Sequence, residues 1–222
     1  SIWEVVNPLI QTKWNQHEPY NLMCPDGNFV DYDESGYDPE NRCVTGCVAT
    51  AMAQVMYYWE WPSGCDAIDG YDVYKQKEVD HSFHGLPATT FDWESMALTY
   101  PSNATGVSAN AVAKLLRYCG QAVHMNYGTG GSSAHVSAEV MAGVFGYSKK
   151  CRELYRDPYT TSQWEEMVYA ELAAGRPVLY SGNTGDGGGH EFIVDGYDGN
   201  GLFHMNWGWG GMRIEDRKSG SA

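Results

Sequence analysis

Residues 45–60 read TGCVATAMAQVMYYWE. Ala49, Ala51, Ala53, Met52 and Met56 are strong helix formers. Thr45 and Gly46 stand where a cap belongs and Pro62 stops the run, so the stretch predicts a helix over 47–60. Its surface is apolar nearly all the way round, which predicts a buried helix. Its small side chains let other segments approach closely. A buried helix that opens on a cysteine, Cys47, is the feature around which the rest of the chain is read.

Downstream, Val112, Leu115, Leu116 and Cys119 recur at helical spacing and predict a helix over 108–123. Further helices are expected at about 134–144 and 162–174, the latter capped by Thr161 and ended by Gly175. Residues 63–104 read as irregular, with one short helical candidate between Asp92 and Leu98. The period then changes. Strands are expected at 177–181, 190–197 and 202–207. A loop with five glycines spans Ser181 to Gly189, and Asp198-Gly-Asn-Gly marks a hairpin between the last two strands. The pattern is α+β: one domain over 1–222, with a mainly helical lobe to about 150 and a mainly β lobe over 151–222.

Composition narrows the function. The 222 residues are 43% apolar and 14% aromatic, which suits a packed globular chain. Fourteen Lys and Arg against 28 Asp and Glu give a net charge of −14, and no cationic cluster for a nucleic-acid groove is visible. No run of 18 apolar residues suggests a membrane span. The chain starts at Ser1 without a signal peptide, as expected of a mature product or a trimmed chain. Six cysteines, Cys24, Cys43, Cys47, Cys65, Cys119 and Cys151, permit pairing without demanding it. The acidic stretch from Asp31 has the alternating Asp and the Gly36 of a calcium loop. Arg42 stands where a bidentate Glu is needed, so a solvated acidic loop is the better reading. No Cys/His cluster has metal-ligand spacing, and neither a metal nor another cofactor is expected. The signatures of α/β-hydrolases, zincins, P-loop enzymes and C-x-x-C oxidoreductases are all missing.

Four elements point to nucleophilic chemistry. Cys47 opens a helix, where unpaired backbone N–H groups favour thiolate and can hold an oxyanion. The bland alternative is a structural buried cysteine. A leaving amine needs a proton donor. His190 fits, beginning a strand after glycines at 187 to 189 that leave room for a peptide. His204, in the same hairpin, is its rival. Asn206 ends the partner strand and, counted back from the turn, is expected opposite His190, where its amide fixes the tautomer; Trp207 and Trp209 follow as a shield. Gln16, in WNQHEPYN (14–21), is the candidate second oxyanion donor. His190 and Asn206 follow Cys47 by about 140 and 160 residues, near the Cys…His…Asn spacing of papain-type peptidases.

The strings NQHEPYNL (15–22), TGCVATAMAQVM (45–56), GGHEFIVDG (188–196) and HMNWGWGG (204–211) together resemble the streptopain family of bacterial secreted cysteine peptidases. The resemblance implies a papain-like fold whose active site lies in the cleft between a helical lobe and an antiparallel β-sheet lobe. It implies Cys47 as nucleophile, His190 as acid/base, Gln16 at the oxyanion, and Asn206 with Trp207 supporting the imidazole. Thr129, Gly130, Ser132, Gly189 and Trp209 would contact substrate. It further implies protein or peptide substrates and secretion as a zymogen inhibited by its own N-terminal propeptide. Neither nucleic acid nor membrane is an expected partner. The chain departs from the family in its five additional cysteines and after Gly211, where the sheet is expected to be a strand short. The alternatives are a papain-like amidase or transpeptidase acting on cell-wall peptides, and a non-catalytic binding module.

Overall fold

The computed structural model describes residues 3–151, 153–183, 189–211 and 215–217. Helix α1 (Cys47–Trp59) runs through the middle of the molecule. Every residue from Val48 to Met56 is buried, and two different partners explain why. Val48, Ala49, Met52, Ala53 and Met56 pack with α2 (Val107–Ala122) through Val112, Leu115, Leu116 and Cys119. Ala51 and Val55 pack on the opposite side against Ile193 and Ile10. A helix gripped from both sides needs no polar face. It ends at Glu60, whose left-handed conformation lets its N–H reach the Met56 and Tyr57 carbonyls.

The second layer is one antiparallel sheet in the order β5 (Val178–Asn183), β6 (Gly189–Tyr197), β7 (Phe203–Asn206), β8 (Glu215–Arg217). Side chains alternate across β6. Ile193 faces α1, whereas Phe192 and Val194 join Phe203 and Met205 against Trp164, Val168 and Leu172 of α4 (Thr161–Ala173). The sheet is thus sandwiched between α1 and α4. The N-terminal segment also lies on it: Val6 bridges Tyr197, and Trp3 stacks on Tyr169.

Several sequence expectations need correction. Residues 63–104 are not simply irregular: β2 (Tyr71–Lys75) and β3 (Glu78–Phe83) form a hairpin, and β1 (Gly64–Cys65) pairs with β4 (Thr89–Thr90). The β3 strand, EVDHSF, carries charged residues on its exposed side, so no apolar run announces it. The third helix, α3 (Ala138–Phe145), starts later than expected, after Ser137 caps it. Thr160, not Thr161, caps α4, in a reciprocal capping box with Gln163. The glycine-rich stretch is narrower than a 181–189 loop, because β5 continues to Asn183 and β6 begins at Gly189. Gly187 and Gly188, taken as room for a peptide, lie outside the described residues. The sheet also gains β8 from residues 215–217, paired along β7.

Candidate active site

Cys47 is the first residue of α1 and is half-buried. The turn that delivers it depends on Gly46, the N-cap, at φ +87°. A Cβ there would meet the Met125 Cε at 2.9 Å and the Ser132 carbonyl oxygen at 3.0 Å, so conformation and space both require glycine. Burial pushes the Cys47 thiol up from its ordinary value, and the nearby Glu191 carboxylate adds to this. The N–H groups of Glu191, Val48 and Cys47 itself pull the other way without reversing it. The N–H groups at the helix start favour the thiolate, as expected, but do not by themselves offset burial of this sulfur. Desolvation outweighs the helix end, and a cationic neighbour is needed to favour ionisation. The Glu191 N–H that lowers the thiol belongs to β6, directly after His190.

His190 is the second residue of β6 and its Nε2 lies 3.0 Å from the Trp207 carbonyl oxygen. A carbonyl only accepts, so Nε2 carries the proton and Nδ1 is the basic nitrogen of the neutral ring. The Trp209 and Trp207 rings lie 5.1 and 5.6 Å from the imidazole and stack on each other, 14° from parallel. They keep water off the Nε2–H···O bond and strengthen it.

Asn206 is not beside His190. It pairs with Ile193, because β6 bulges between Val194 and Gly196 and shifts the register counted from the turn. Its amide is buried and fully engaged: Nδ2 donates to the Thr12 carbonyl at 3.0 Å and to Gln54 Oε1 at 3.2 Å, while Oδ1 accepts from the Gly208 N–H at 3.0 Å. None of these bonds reaches the imidazole. Asn206 instead ties β7 to α1 and folds back the chain that presents the Trp207 carbonyl. Gln54, which the sequence analysis did not single out, receives Thr12, Trp14 and Asn206 on one oxygen.

Gln16 sits next to the nucleophile. Its Oε1 accepts from the Gly46 N–H at 3.0 Å and its carbonyl accepts from the Thr45 N–H. With Oε1 committed, the side-chain NH₂ is its donor. The rival His204 bonds Asp195 at 2.6 Å.

Cys47 and His190 line one groove of about 550 Å³, with Gly189 and Ser132 among its walls. Ser132 is fixed by donating to the Val44 carbonyl. Thr129 and Gly130 are not among the residues lining this groove, and Trp209 rests on the imidazole instead. Groove residues that sequence reasoning missed include Ser181, His135 and Glu191. Glu191 had left a signal: a charged residue inside an otherwise apolar strand. Away from the groove, Asp31, Glu34 and His84 bring ligand-type atoms within 4.8 Å of one another. Asp31 is buried and paired with Arg117 at 3.2 Å, not free in a solvated loop. All six cysteines are free thiols. No helix of the described residues is long and apolar enough to cross a membrane.

A helix-borne cysteine and a strand-borne histidine in the cleft between a helical layer and an antiparallel sheet define the cysteine-peptidase class. The chain belongs to the Peptidase C10 family, whose match covers residues 14–214. It is 32% identical over 217 residues to streptopain of Streptococcus pyogenes, covering 94% of this chain and 54% of that protein. It is 33% identical over 203 residues to the thiol protease/hemagglutinin PrtT of Porphyromonas gingivalis, covering 90% of this chain and 22% of that one. The chain therefore spans about half the length of the streptopain relatives it matches. Active interpain A, a cysteine protease of Prevotella intermedia, superposes with a TM-score of 0.81 at 34% identity, over 97% of this chain and 86% of the other. A prointerpain A fragment gives 0.79 at 35% identity, over 96% and 65%.

Proposed function

We propose that this chain is the catalytic part of a secreted cysteine endopeptidase made as a zymogen. The observation that carries the chemistry is that Cys47, at the start of α1, and His190, on the facing strand β6, line one and the same groove. In this reading His190 Nδ1 takes the Cys47 proton, and the imidazolium supplies the positive charge that burial of the sulfur demands. The thiolate attacks a peptide carbonyl. The resulting oxyanion is held by the Cys47 N–H and the Gln16 amide. His190 gives its proton to the departing amine, leaving a thioester on Cys47. Water then loses a proton to His190 and attacks the thioester, freeing the acid and restoring the thiol. Asn206 acts at one remove, through the chain that carries the Trp207 carbonyl. Secretion follows from the family resemblance. The prointerpain A relative supports a propeptide as the chain's own inhibitor.

The test is turnover of denatured casein by the activated protein under reducing conditions, beside the Cys47→Ala variant with its fold verified by circular dichroism. Cleavage lost in the variant is the expected result. Cleavage retained, or activity confined to peptidoglycan, overturns the endopeptidase reading.

A further inference from the structure

A carboxylate shares the groove with Cys47 and His190 and has no part in the chemistry just described. Glu191 is 5% exposed, yet it lines the groove. The alternation of β6 turns it toward the α1 side with Ile193, away from the Phe192 face. One oxygen, Oε2, accepts from the hydroxyl of Ser181, its partner across β5. Among the described residues, Oε1 has no protein hydrogen-bond partner, and no Lys or Arg pairs with the carboxylate. The charged and titratable groups around it are Cys47 on α1, His190 on its own strand, His135 on the groove wall and Glu153 beyond, the last two paired with each other at 3.8 Å. His135 attracts the carboxylate and Glu153 repels it, and the exposed His135 ring is shared with Glu153. Burial pushes the Glu191 carboxyl up, and the Ser181 bond and His135 offset only part of that.

A buried carboxylate whose one cationic neighbour is an exposed imidazole shared with a second carboxylate is costly, and a cation delivered to it from outside relieves the cost. A charge-assisted bond there is short, strong and directional. The net charge of −14 draws cationic chains toward the protein from a distance. We infer that Glu191 is a specificity-determining residue: it selects peptides that carry a lysine or arginine side chain within two residues of the bond being cut. The inference rests on the peptidase reading for its catalytic consequence, and on the groove alone for its binding consequence. Ser181 holds Oε2, so that Oε1 is presented to the incoming ammonium or guanidinium group. An apolar side chain at that place leaves the carboxylate dehydrated and unpaired, and is rejected for that reason.

Two measurements decide it. In the first, kcat/KM is measured for quenched peptides that differ only in Lys, Arg or Leu at each of the two positions on either side of the cut. At one position the basic peptides should exceed the Leu peptide by about tenfold or more. In Glu191→Gln that ratio should fall to about one, and in Glu191→Asp part of it should survive. A wild-type ratio near one at every position, or a ratio untouched in Glu191→Gln, overturns the inference. The second measures peptide binding to Cys47→Ala protein, which needs no turnover. Lys peptides should bind about tenfold tighter than Leu peptides, and equal binding overturns the inference. Absence of Cys47-dependent cleavage would end the peptidase reading separately, with the binding result still deciding the role of Glu191.

Discussion

The Trp207 carbonyl and the His190 Nε2 are 3.0 Å apart, so a backbone group and not a side-chain amide holds the imidazole. This changes what substitution can reveal. Removing a side-chain orienter deletes its bond to the histidine outright. Here the carbonyl survives any side-chain change, and the orienting bond is altered only by moving the chain that carries it.

Asn206 is where that chain is anchored. Asn206→Ala removes bonds to Thr12, Gln54 and Gly208 and leaves buried partners unsatisfied. The expected cost is about 1–3 kcal/mol for each group left unpaired, seen as a lower urea midpoint. Peptidase activity in the surviving folded fraction should fall because the Trp207 carbonyl shifts. A variant as stable as wild type with activity abolished would instead indicate direct contact with the imidazole.

Gln16→Ala tests the oxyanion donor. Loss of one such donor typically lowers kcat by about 10²–10³, with KM little changed because the bond matters most in the transition state. The Gln16 side-chain bond to the Gly46 N–H is also lost, so the melting temperature should be recorded beside the kinetics. A purely structural Gln16 would lower stability and leave kcat per folded molecule intact.

Asp26 gives a pH signature away from the groove. Burial pushes its carboxyl up, but N–H bonds from Asp38, Val30 and Asn28 prevail and hold it below the ordinary range. A carboxyl depressed in the folded state stabilises it fully above the unfolded value of about 3.9, and that contribution is lost as pH falls through the lower folded value. Asp26→Asn should therefore be less stable than wild type at neutral pH, and the gap in denaturation midpoint should close in acid. A gap independent of pH would contradict this assignment.

Much of this was legible in the sequence, for identifiable reasons. Helix α1 announced itself by composition, and its all-round apolar surface implied the burial that packing on two sides provides. The β6–β7 hairpin followed from Asp198-Gly-Asn-Gly. The position of Asn206 was not legible, because a bulge between Val194 and Gly196 moves the register and nothing in the string marks it. The effect of burial on the Cys47 thiol was not legible for a related reason. Helix ends are visible in sequence, whereas desolvation depends on what packs above them. The β2–β3 hairpin was hidden because it is largely exposed and lacks an apolar alternation. Glu191 stood in plain view, but its role depends on which side of β6 meets α1, which only the packing of Ile193 reveals.

The central claim is that His190 supplies the charge that ionises a sulfur raised by burial, and the pH dependence of Cys47 alkylation tests it most directly. Rates followed by peptide mapping with iodoacetamide should remain high for wild-type Cys47 in mildly acidic solution. In His190→Ala they should rise only at alkaline pH, as for a buried thiol. Superimposable profiles in the two proteins would contradict the account.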